Sequence, residues 1–89
     1  IRNEWRKFNI MFKVIRKSKF NDEVLVSNEF ESKKEVEKAF LDVASVSISN
    51  FDEYDFEEIE TILEQGYENF GSGTVYIEEN GLIPKGVQV

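Results

Sequence analysis

The 89-residue chain contains no cysteine and no histidine, and only one proline, one tryptophan and one methionine. Without cysteine there can be no disulfide, thiol nucleophile or thiolate metal site. Without histidine the chain loses the side chain most often used as general base and metal ligand. The phosphate-binding and nucleophile-elbow patterns GxxxxGK[ST], GxGxxG and GxSxG are missing too. No apolar run approaches the roughly 18 residues of a membrane span. No basic-then-apolar segment of the signal-peptide kind opens the sequence. A soluble, cytoplasmic protein with no membrane partner is therefore expected. Positive charge is what the second half has least of: residues 39–89 hold one base, Lys85, against eleven acids, a net of −10. Residues 1–38 hold ten Lys and Arg against seven acids, a net of +3. Such an imbalance bears on partners and fields rather than on fold.

What is present suffices for a packed core. A composition that is 40% hydrophobic and 13% aromatic separates the chain from disordered acidic tails, and its length suits one small domain, 1–89. Residues 7–17, KFNIMFKVIRK, alternate with Phe8, Ile10, Phe12 and Val14 on one face, the period of a half-buried strand. EVLVSNEF alternates again through Val24, Val26 and Phe30, giving a second strand. Ser32-Lys33-Lys34-Glu35 has the spacing of a capping box, followed by Val36, Ala39, Phe40, Val43 and Ala44 at helical intervals. A helix over 33–47 follows. Near the end, TVYIEE predicts a strand over 74–79 with Val75 and Ile77 inward, and Asn80-Gly81 is the pair preferred in a two-residue type I′ hairpin turn. LIPKGVQV, 82–89, is then expected to return as an edge strand, because Pro84 cannot donate to a ladder. The predicted fold is α+β and two-layered, ββααββ, a largely antiparallel four-stranded sheet with two helices on one face.

Between these elements lies FDEYDFEEIETILEQGYENF, residues 51–70, with eight carboxylates and no Lys or Arg. Phe56, Ile59, Leu63, Tyr67 and Phe70 fall on one face of a helix, and Glu57, Glu60, Glu64 and Glu68 make a parallel acidic row. Asp52 as N-cap, with Asp55 at N3 and a Phe51–Phe56 staple, predicts a start near 53. Gly66 and Gly71 both offer a stop. Continuation of the stripe through Tyr67 and Phe70 favours Gly71, leaving Gly66 inside the helix at a cost of about 1 kcal/mol.

Acid–base catalysis by paired carboxylates needs a cleft that separates their pKa values, and no spacing here specifies one. An EF-hand loop needs alternating oxygens around a glycine, and Asp52 to Phe56 has neither. No enzyme, catalytic residue, cofactor or metal is expected. Direct nucleic-acid binding is disfavoured by a field that repels phosphate. The leading expectation is a non-enzymatic protein-binding inhibitor or regulator that presents Asp52, Glu53, Asp55, Glu57, Glu60, Glu64 and Glu68 to a basic partner. That partner would be a DNA- or RNA-handling protein met by nucleic-acid mimicry. Phage and mobile-element inhibitors of restriction and CRISPR nucleases share this physical type, and the comparison extends no further than type. The alternative is a structural or adaptor module, a homodimer through a sheet edge near Pro84, whose acidic face is only solvated surface. The exposed aromatic contacts would be Trp5, Phe20, Tyr54 and Tyr67.

Overall fold

A computed structural model describes residues 10–87. Strand β1 (Phe12–Ser18) and the short β2 (Val24–Val26) form an antiparallel pair, followed by helix α1 (Lys33–Ser47). A single 3₁₀ turn (Phe51–Glu53) leads into helix α2 (Phe56–Gln65), then β3 (Tyr67–Phe70) and β4 (Gly73–Glu79). All pairings are antiparallel and the sheet order is β2-β1-β4-β3. The expected α+β arrangement, two strands, two helices and two strands in chain order, is what forms.

Register decides which side chains meet. Val14 lies opposite Ile77 and Arg16 opposite Val75, and because strand side chains alternate, these four share one face. On that face Phe12, Val14, Val75 and Ile77 pack with Val36, Phe40, Ala44 and Ile48 from α1 and with Ile62 from α2. The helix–sheet layer therefore holds one core. Helix α1 occupies the expected span, and the Ser32 side chain accepts from the Glu35 N–H at 3.4 Å. The 4-residue spacing of its buried Val36, Phe40 and Ala44 turns one stripe to the sheet. The opposite sheet face carries Ile15, Thr74 and Tyr76, which are also buried, so β4 is buried on both faces from Thr74 to Ile77.

Four expectations are corrected. The return strand at 82–89 does not form over its described residues: Asn80 (φ 52°) and Gly81 (φ 83°) make the turn, and Glu79 and Leu82 exchange bonds of 3.1 and 2.9 Å, but pairing stops there as a single bridge. β1 fills one edge of β4 along all seven residues, and on the edge that Leu82 joins the Ile77 N–H is already held by Gly66 O and β3 pairs from Tyr76 onward, so no ladder remains for residues beyond Leu82. The fourth strand comes instead from Tyr67–Phe70, which the helical stripe had assigned to α2. Of the first strand's expected residues, Ile10 and Met11 fall outside it, since it starts at Phe12 and Ile10 is exposed, and residues 7–9, like Trp5, lie outside the described residues. Finally, α2 starts at Phe56 and ends at Gln65. Phe56 is 74% exposed instead of stapled inward.

Gly66 is the reason for the early stop. It caps α2 in the left-handed region at φ 82°, its N–H bonding Ile62 O at 2.8 Å, while its own carbonyl accepts from Ile77 N–H at 2.8 Å. One residue thus ends the helix and starts the β3–β4 pairing. An added Cβ would meet only Pro84 Cγ, at an ordinary 3.6 Å, so the cost of a side chain here is conformational. Gly66→Ala should destabilise by about 1–2 kcal/mol in urea unfolding. Gly71→Ala, where nothing lies within 4 Å of a built Cβ, should stay within about 0.5 kcal/mol. A larger loss at Gly71 than at Gly66 would overturn this assignment of the helix end.

Candidate protein-binding surface

The acidic stretch folds into three unlike pieces. Asp52 and Glu53 stand exposed on the 3₁₀ turn. Asp55, not Asp52, is the N-cap of α2: its carboxylate accepts from Glu58 N–H at 2.8 Å, and Glu58 Oε1 accepts from Asp55 N–H at 3.1 Å, closing a capping box. The residues at N′ and N4 of this cap are Tyr54 and Ile59, and both pack partly buried against the core. Asp55 and Glu58 therefore have a folding role sufficient to explain them. Carboxylates in the first turn also favour the helix dipole.

Glu57 shares that first turn, whereas Glu60 and Glu64, which continue its row, have no such local role. At about 100° per residue the three lie within roughly 60° of one another on the side of α2 away from Ile59, Ile62 and Leu63. All three are exposed. Between Glu57 and Glu64 the ridge rises about 10 Å along the axis. Among the described residues none of these carboxylates has a Lys or Arg ion-pair partner, and the last turn of α2 holds no base.

Glu68 leaves the ridge. As a β3 residue opposite Val75 it points to the helix side of the sheet, where it accepts a hydrogen bond from Tyr54 Oη at 2.5 Å. It joins Asp55, Glu57 and Glu58 around a concavity of about 430 Å³ that Tyr54 and Thr61 also line. The expected seven-residue array thus becomes two exposed acids on the 3₁₀ turn (Asp52, Glu53), a helix cap (Asp55), an exposed ridge (Glu57, Glu60, Glu64) and a partly buried carboxylate (Glu68). No group of three or more acids among the described residues is placed to hold a metal ion. Of the aromatic contacts expected from sequence, Phe20 is 76% exposed. Tyr54 stacks on Phe51 at 5.2 Å between ring centroids, and Tyr67 is half-buried on the other sheet face.

The Tyr54–Glu68 pair, 14 residues apart in the chain, had no signal in the sequence. Burial, then the hydrogen bond to Glu68, then the charges of Glu68 and Glu58 push the Tyr54 hydroxyl up from 10.0 to about 12. None of the described helices is long and apolar enough to cross a membrane. Comparison with known protein families, with characterised proteins and with solved structures finds no match in any of the three.

Because the folded-state value lies above the ordinary one, the Tyr54 contact contributes stability that is complete below pH 10 and is lost as pH rises toward about 12. Wild type should therefore lose stability over that window more steeply than Tyr54→Phe, which should itself cost about 1 kcal/mol near neutral pH. Phenolate absorbance should show one tyrosine titrating near 12 in wild type and not in the variant. Identical titrations would place Tyr54 in water.

Proposed function

We propose that the chain is a non-enzymatic binding protein that uses the acidic ridge of α2 to engage the basic, nucleic-acid-binding surface of a DNA- or RNA-handling protein. It would act there as an inhibitor or regulator that competes with nucleic acid. The observation that supports this reading is energetic. Glu57/Glu60 and Glu60/Glu64 are like-charge neighbours at i,i+3 and i,i+4, each unfavourable by about 0.2–0.5 kcal/mol. Glu64 also sits toward the negative end of the helix dipole, unfavourable by a further 0.3–1 kcal/mol or so. In a domain where 1 kcal/mol is a sizeable share of net stability, a surface under folding selection only would mix the signs. Asp52 and Glu53 extend the negative surface past the N-terminal end of α2, and the capping pair adds charge at no cost to the helix.

Anti-restriction and anti-CRISPR inhibitors of phages and mobile elements are the physical type this reading suggests. The ridge shares their sign, and its carboxylates, about 5–6 Å apart on a helix, present repeated negative charge on the scale of a nucleic-acid backbone. The basic partner supplies the attraction, and displaced counterions make binding salt-dependent.

The double substitution Glu60→Gln and Glu64→Gln separates charge kept for binding from charge that is only solvated. Relief of repulsion should raise the melting temperature at low salt by a few degrees, on the scale of about 4–8 °C per kcal/mol. Immobilised wild-type chain should retain nucleic-acid-binding proteins from a cell lysate, and these should elute with added duplex DNA. The variant should not retain them. If the melting temperature falls, the acids are structural; if retention persists in the variant, the ridge is not the contact surface.

A further inference from the structure

The sheet ends on two unlike edges. Outside β3 the C-terminal segment lies close, with Asn69 Nδ2 donating to Gly86 O at 2.9 Å and Pro84 beside Gly66. Outside β2 no described element pairs, and Val24, Leu25 and Val26 are 48, 53 and 56% exposed. Natural edges are usually guarded by a lysine, a proline or a cover, and these three residues have neither charge nor proline. A groove of about 190 Å³ runs beside them toward α1, lined by Leu25, Val26, Val14, Val43 and Arg16.

Backbone direction on this edge follows from the bonds that β2 makes inward. Ser18 N–H reaches Glu23 O at 3.0 Å and Ser27 N–H reaches Val14 O at 2.9 Å. With Arg16 opposite Leu25, residues 23, 25 and 27 turn their polar groups to β1. Alternation then turns the N–H and C=O of Val24 and Val26 outward. Those outward groups are placed symmetrically about Leu25.

We propose that the β2 edge pairs antiparallel with the β2 edge of a second copy of this chain, about a two-fold axis at Leu25. In this register Val24 and the partner's Val26 form a hydrogen-bonded pair, as do Val26 and the partner's Val24, giving four new bonds, while the two Leu25 residues face each other as a non-hydrogen-bonded pair. Charge selects this register over its neighbours. Asp22 comes opposite the partner's Asn28, and Glu23 opposite the partner's Ser27. A shift of two in one direction would set Glu23 against the partner's Glu29, and in the other would set Asp22 and Glu23 against apolar side chains. A parallel arrangement would align the acids of both copies. The seam is short, because between the Val14–Ser27 and Phe12–Phe30 pairings β2 carries one residue more than β1, a bulge that bends the edge away. An interface of this size falls below the roughly 1,200 Å² of stable complexes, so the dimer is weak and concentration-dependent. It joins two sheets into one of eight strands. The inference is independent of the acidic ridge, and Glu60→Gln with Glu64→Gln leaves it untouched.

The absence of native cysteine makes the test clean. A non-hydrogen-bonded antiparallel pair holds its Cα atoms about 4.5 Å apart, within disulfide range. Leu25→Cys treated with diamide should therefore become a covalent dimer about tenfold faster, or more, than Val46→Cys, whose site on α1 is 85% exposed but off the seam. Wild type should sediment as a monomer–dimer equilibrium that shifts to dimer between micromolar and millimolar concentration. Val26→Pro removes an outward donor and spares the bonds to β1, so it should stay folded by circular dichroism and remain monomeric. Wild type that stays monomeric throughout, or a Leu25→Cys variant that cross-links no faster than Val46→Cys, would overturn the proposal. So would a monomer whose β2 edge takes up a different chain.

Discussion

Strand β4 is hydrogen-bonded on both sides, to β1 along seven residues and to β3 along four, and this double pairing constrains everything around it. It buries Thr74, Val75, Tyr76 and Ile77 on both faces, which gives the helices an apolar floor. It also fixes where other segments can go. Because Gly66 O already holds the Ile77 N–H on the edge where Leu82 bonds Glu79, the residues beyond Leu82 have no ladder to join. Because β3 fills the rest of that edge, α2 must end early enough to release Tyr67–Phe70. Gly66 performs that release, with its N–H in the helix and its C=O in the sheet.

The early end of α2 reshapes the acidic stretch. A helix continued to residue 70 would display one straight row of four glutamates. The observed break leaves Glu57, Glu60 and Glu64 as the ridge and folds Glu68 back under Tyr54. There its charge is partly screened from solvent and held by a hydroxyl whose own ionisation it opposes. Charge density on the outer surface falls, yet the like-charge contacts within the ridge persist with no ion-pair partner among the described residues. Local mechanisms account for Asp55 and Glu58. They leave Glu60 and Glu64 as the carboxylates whose presence the fold does not require.

Much of the architecture was legible because it rests on local rules. The capped stripe of α1, from Ser32 through Val36, Phe40 and Ala44, and the type I′ signal of Asn80-Gly81 each depend on residues within a few positions of one another. Alternation located β1 and β4 for the same reason, though it could not say that Ile15 and Tyr76, on the opposite face, would also be buried. The failures within the acidic stretch share one origin. Tyr67 and Phe70 lie three residues apart, a spacing that fits a helical stripe; in β3 they instead fall on opposite sheet faces, and only Phe70 reaches the core. Phe56 fits the same stripe and is exposed.

The sequence by itself determined the sign and uneven placement of charge, the exclusion of cysteine and histidine chemistry, the α+β class and the identity of the acidic helix, since composition and short-range periodicity carry each of these. Tertiary structure decided which segment became the fourth strand, which glycine ended α2, which glutamate was withdrawn from the surface and which sheet edge was left without a neighbour among the described residues. Those outcomes depend on hydrogen bonds between residues far apart in the chain, such as Gly66 with Ile77 and Tyr54 with Glu68. No local pattern encodes a competition that is settled by which backbone groups are still unbonded when the sheet closes.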